Sequence, residues 1–105
     1  MIPHSKLNKY ADVLLWGLKT ARTKKYKKDD NILVRFDLSA IKLAEILQGK
    51  LIDMGMNPIL RLSSTPQMEK NFFERANNKQ LAFQAPGEKE LNSNLHGIIS
   101  LQVGS

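Results

Sequence analysis

Cysteine does not occur in the 105 residues. Its absence excludes disulfide frameworks, thiolate zinc sites and cysteine nucleophiles together, and it fits a reducing compartment. Histidine is almost as scarce. His4 and His96 are the two copies; neither stands four residues from another histidine and no His-Glu pair shares a helix, so the zinc-protease pattern is missing. Glycine is missing where it would matter for a nucleotide. The segment "DLSA" joins the first strand-like run to the next helix, and a dinucleotide fold needs glycines there so that the pyrophosphate can approach the backbone. Ser63 and Ser64 lack the flanking glycines of a nucleophile elbow, and Glu88 and Glu90 lie on opposite flanks of a short helix. No self-sufficient catalytic constellation is visible. The opening "MIPHSKLNKY" has no apolar leader segment, and no uninterrupted apolar stretch approaches the ~18 residues a membrane helix needs. A cytoplasmic protein with no membrane partner is the expectation.

What is present is an ordinary globular composition, 42% hydrophobic and 25% charged, which fits one domain over residues 1–105. A chain of this size can bury roughly two-thirds of its unfolded surface, enough for a modest core without metal or disulfides. The net charge of +6 is unevenly spread. Up to Lys28 there are eight basic residues and one acid, Asp12; beyond Lys28 eight basic residues face nine acids. The basicity belongs to the first helix and its exit.

From residue 5 to about residue 22, Leu7, Tyr10, Ala11, Leu14, Leu18 and Ala21 recur at helical spacing, widened by Leu15 and Trp16. Ser5 is the expected N-cap, and the lysines near the far end suit the negative pole of the helix dipole. The run "ILVRF" is short, β-branched and barely alternating, as a strand buried on both faces should be. Asp37 and Ser39 offer caps for a second helix carrying Ala40, Ala44, Leu47 and Leu51, which Gly55 ends. A strand over 59–62 follows. Thr65 then caps a third helix with Pro66 in its first position, in which Met68, Phe72 and Ala76 are the apolar positions. "NNKQ" is read as a break, residues 88–95 as a short helix, and "IISLQV" after Gly97 as the last strand. Alternating strands and helices imply a small three-layer α/β/α domain with a mainly parallel sheet, right-handed crossovers and both sheet faces covered. The strand order stays open.

Two sets of residues invite functional readings. Asp37, Ser63, Ser64 and Thr65 sit at the carboxyl ends of strands, where ligands of open parallel sheets bind, but the residue types favour helix capping by Asp37, Ser39 and Thr65. The basic run Lys19, Arg22, Lys24, Lys25, Lys27 and Lys28 surrounds Tyr26, so phosphates and a stacked base could be accommodated. Against this, charges beside a helix end are commonly solvated and no nucleic-acid motif accompanies them. Nucleic acid is therefore not the expected partner, although a small basic binding module or a free-standing interaction domain remains open.

Read together, "KYADVLLWGLKTA", "KKDDNILVRFD", "AIKLAEILQGKLIDMGMNPIL", "MEKNFFERANNKQL", "PGEKEL" and "GIISLQV" resemble the N-terminal region of the aminopeptidase T family, the thermophilic metalloproteases. The resemblance runs from about Lys9 to Val103 and rests on the order of segments. It implies an N-terminal α/β domain of an enzyme that removes N-terminal amino acids from peptides, using two divalent metal ions held by a larger C-terminal domain, and that works as a homodimer. The ligands belong to that C-terminal domain, so no metal or catalytic residue transfers to this chain, no cofactor is expected in it, and alone it is expected to be inactive. The absent catalytic domain is the expected partner. Trp16, Phe72, Phe73 and Phe83 are candidates for the apolar patch such a domain would cover, with at least one of Phe72 and Phe73 expected in the core.

Overall fold

The computed structural model describes residues 3–21 and 25–101. The chain opens with helix α1, His4–Thr20. Its N-cap is Pro3, whose carbonyl accepts from the Lys6 and Leu7 N–H groups at 3.0 and 3.1 Å. Proline brings a fixed φ of −59° and needs no partner for a missing N–H. Ser5, the expected cap, therefore lies inside the first turn. The seam that α1 buries is Ala11, Leu15 and Leu18, with Leu7 and Leu14 beside it. Tyr10, Trp16 and Ala21 fall on the outer side, and Trp16 is 66% exposed.

A turn through residues 27–30 leads into strand β1, Asn31–Phe36. Asp29 adopts a left-handed φ of 71° there, which a short polar side chain tolerates better than most. Ile32, Leu33 and Val34 are all buried, as the unalternating run predicts. Asp37 then ends the strand. Its carboxylate accepts from the Ala40 N–H at 3.1 Å and caps a single 3-10 turn before helix α2, Ile41–Asp53. Leu43, Ala44, Leu47 and Leu51 form the buried face of α2. The helix stops in a paired-bond cap: Gly55 N–H reaches Ile52 O at 2.9 Å and Met56 N–H reaches Leu51 O at 3.0 Å. Gly55 takes the φ of 81° that this stop requires, and Met56 and Leu51 bury the accompanying apolar contact.

Strand β2, Asn57–Leu62, pairs with β1 in parallel. Pro58 is tolerated because β2 is an edge strand. The chain continues through α3 (Pro66–Arg75), α4 (Asn78–Leu81) and α5 (Glu88–Ser93) to β3, Gly97–Leu101, parallel to β1 on its other side. The "NNKQ" segment is not a plain break. Asn77 accepts from Gln80 N–H and the Gln80 side chain accepts from Asn77 N–H, both at 2.9 Å, so the segment stops one helix and starts the next. The last two residues of the expected final strand, Gln102 and Val103, lie outside the described residues.

The result is a small α/β domain with an all-parallel sheet in the order β2-β1-β3. α1 and α2 pack against each other and on one sheet face, burying Ile32, Val34, Ile99 and Leu101 between them and the strands. The second crossover moves across the sheet in the opposite direction from the first. Right-handed connections then assign it to the opposite face. That second layer is thin: α3, α4 and α5 contain no buried residue. The Cα radius of gyration is 15.8 Å, against about 13 Å for a compact chain of 100 residues. Phe72 and Phe73, one of which the sequence places in the core, are 46% and 77% exposed. They pack on one another edge to face, with centroids 6.2 Å apart, rather than on the sheet.

Tyr26 closes the open side of β3. A Cβ on Gly97 would lie 2.6 Å from the Tyr26 hydroxyl and 3.0 Å from Leu18 Cδ1, so an alanine there must displace the ring. Gly97→Ala is expected to cost about 1–3 kcal/mol by overpacking. Urea denaturation should show part of that loss recovered in the double variant with Tyr26→Phe, because the nearest clashing atom is then gone while Leu18 Cδ1 at 3.0 Å and Tyr26 Cε1 at 3.1 Å remain.

Candidate functional site

The carboxyl ends of the three parallel strands are where an open α/β sheet presents a site. Asp37 Oδ1 accepts from Ala40 N–H and, at 2.7 Å, from the Ser39 hydroxyl. Its own N–H points to Leu101 O at 3.4 Å and joins the loop to β3. Thr65 Oγ1 accepts from Met68 N–H at 3.1 Å and caps α3, and Ser63 N–H donates to Phe36 O at 2.7 Å. Asp37 and Thr65 are thus engaged by neighbouring backbone N–H groups, and Ser39 by Asp37. No nucleophile and base meet among them.

One row above this loop, two arginines stand side by side. "ILVRF" and "PILRL" align residue for residue in β1 and β2, which places Arg35 opposite Arg61, and Ser100 of β3 completes the row on the other side of Arg35. Register partners share a sheet face, here the one turned away from α1 and α2. Below them the same face carries Leu33, Ile59 and Ile98. Arg35 and Arg61 are exposed, and neither pairs with an acid among the described residues. The repeated position of arginine in two apolar pentapeptides was the sequence signal for this pair.

Lys19, Lys25, Lys27 and Lys28 are exposed, while Arg22 and Lys24 lie outside the described residues. Tyr26, which could have stacked on a base, is half-buried against Gly97 and Leu18 and belongs to the core margin.

At the opposite, amino ends of the strands lies a polar network. Asp30 is buried, and its Oδ2 accepts from Lys27 N–H at 2.7 Å while Oδ1 stands 3.6 Å from His96 Nε2. His96 Nδ1 accepts from Asn31 N–H at 2.9 Å. A backbone N–H can only donate, so this arrangement assigns the neutral ring its proton on Nε2. Asn31 Nδ2 donates to Asn94 O, and Asn57 Nδ2 donates to Asn31 Oδ1, linking all three strand starts. One histidine and one carboxylate do not make a metal centre. Among the described residues no group of three or more histidine, aspartate or glutamate side chains could hold an ion, and no helix is long and apolar enough to cross a membrane.

Fold and topology together define a small α/β domain with an all-parallel sheet. The family model described as thermophilic metalloprotease (M29) matches residues 3–103, and the chain belongs to that family. No curated protein and no solved structure matches it. A metal centre needs several carboxylates and imidazoles converging on one point, and the donors described here do not fit that: His4 stands at the start of α1 and His96 just before β3.

Proposed function

We propose that this chain serves as the non-catalytic N-terminal domain of a metal-dependent aminopeptidase, an enzyme that removes N-terminal amino acids from peptides with two divalent ions held elsewhere. The observation that carries the reading is the family match across residues 3–103 in a fold whose described side chains offer no converging ligand set. In this role the domain supplies walls and an interface rather than reacting groups. Its partners are the catalytic domain, a second copy of the enzyme and, through them, the peptide. Exposed Trp16, Phe72, Phe73 and Phe83 belong to the apolar surface available for such contacts.

The test is an aminopeptidase assay of the purified 105-residue chain on aminoacyl anilides with added zinc, cobalt or manganese. Hydrolysis is expected to stay at the buffer rate, and no stoichiometric metal should remain after gel filtration. Metal-dependent turnover that survives repurification and disappears with chelator would overturn the proposal.

A further inference from the structure

We infer that His96 is a proton-operated latch between the connection leading into β3 and the start of β1, closed while its ring is neutral and released when the ring takes up a proton. The latch rests on a bond that only one protonation state can make. Asn31 N–H donates to His96 Nδ1 at 2.9 Å, so Nδ1 has to be bare. A proton there would set two donors against each other, and the ring would have to turn away, leaving the Asn31 N–H to solvent. Histidine is the side chain that changes charge between about pH 5 and pH 8 without special tuning, and protonation in that window is a general means of biasing one packed arrangement over another.

The surroundings supply both positions of the ring. In the closed one, three bonds tie the two segments together: Asn31 N–H to His96 Nδ1, His96 N–H to Asn31 O at 2.9 Å, and Asn31 Nδ2 to Asn94 O at 3.0 Å. Only the first depends on the charge of the imidazole, so acid opens that bond and leaves the pairing of β1 with β3 in place. For the released position, buried Asp30 presents Oδ1 at 3.6 Å from Nε2 while Lys27 N–H holds its Oδ2 at 2.7 Å, and a charged ring is drawn to that anchored carboxylate. The elements that meet here are the turn through 27–30, with Lys27, Lys28, Asp29 and Asp30, the start of β2, with uncharged Asn57 and Pro58, and α5, with Glu88, Lys89 and Glu90. Of the acids, Asp30 alone makes an ion-pair contact with the ring among the described residues. The imidazole is 39% exposed, so protons reach it from solvent. The latch is independent of whether the chain is catalytic.

The experiment is a magnetic-resonance titration of the ¹⁵N-labelled 105-residue chain from about pH 8 to pH 5, the window in which imidazole changes charge. At the alkaline end the ring nitrogens of His96 should report a proton on Nε2 and none on Nδ1. On acidification the Asn31 amide should shift with the same midpoint as the His96 ring, and its hydrogen-exchange protection factor should fall about fivefold, the scale of one net hydrogen bond. The His4 ring, at the start of α1, should titrate without an echo at Asn31. His96→Asn places an acceptor oxygen near the position of Nδ1 but takes up no proton in this range, so its Asn31 amide should keep one shift and one protection factor throughout. A neutral ring protonated on Nδ1, an Asn31 amide that does not follow the His96 ring, or an unchanged acid response in His96→Asn would each overturn the latch. The first two readings need only the unsubstituted chain, so they decide the matter even where the variant does not fold.

Discussion

Leu47→Ala is expected to remove about 2–5 kcal/mol of folding stability, the range for truncating a buried leucine. Leu47 is fully buried on α2, in the cluster that α1, α2 and the inner sheet face share. Its loss withdraws apolar contacts from both helices and the strands at once. A small domain has a total of roughly 5–15 kcal/mol, and the described residues of this one concentrate their burial in the cluster under α1 and α2, so the variant should approach the unfolding threshold. At about 4–8 °C per kcal/mol for a domain of this size, the melting midpoint should fall by more than 8 °C. Urea denaturation should show a lower midpoint with an unchanged slope, as expected when the native contacts and not the unfolded ensemble have changed. Phe73→Ala is the matched control. It deletes a larger side chain, but one that is 77% exposed, and an exposed substitution is expected to stay within about 0.5 kcal/mol. Comparable losses in the two variants would mean that the second crossover is packed in solution and that α1 and α2 do not hold the main core.

The contrast between those two residues also marks where the sequence could be read. α2 and β1 were legible because periodicity and burial coincide there: Ala40, Ala44, Leu47 and Leu51 are all buried, as are the first three residues of "ILVRF". In α1 the stripe was visible but its centre was displaced. Leu15 is buried and Tyr10 exposed, since the seam is set by where α2 and β3 lie, and no periodicity contains that. The third helix misled for a different reason. Met68 and Phe72 have helical spacing and an amphipathic pattern, yet they are exposed; the pattern states that a face wants cover and is silent on whether the same chain supplies it. At the candidate site, the caps Asp37 and Thr65 were local and hence readable. The Arg35 and Arg61 pair depends on strand register, and the contact of His96 with Asn31 joins positions 65 apart in the chain. Long-range pairings of this kind follow from topology.

Asp30→Ala should carry the largest effect outside the apolar cluster, about 1–3 kcal/mol, the cost of leaving a partly buried donor without its acceptor. Asp30 is 7% exposed at the junction where the lysine-rich connection enters β1. Its Oδ2 takes the Lys27 N–H at 2.7 Å, its backbone carbonyl takes the Asn57 N–H at 2.9 Å, and its Oδ1 faces His96. The side chain therefore fixes the turn that delivers Asn31 to both neighbouring strands, and alanine would leave Lys27 N–H unsatisfied and His96 without its facing carboxylate. Asp30→Asn separates the two contributions. The amide keeps an acceptor oxygen of nearly the same shape but removes the charge, so it should preserve more of the turn than alanine does. Hydrogen exchange gives the local readout: the Lys27, Asn57 and His96 amides should exchange faster in Asp30→Ala, while amides in the middle of α2 change only by the global loss. If alanine costs less than about 0.5 kcal/mol, the scale of an ordinary surface change, and Lys27 stays protected, then the turn is held by its backbone alone. In that case the charge that distinguishes this end of the sheet would have a role other than stability, which the response of His96 resonances to the same substitution would expose.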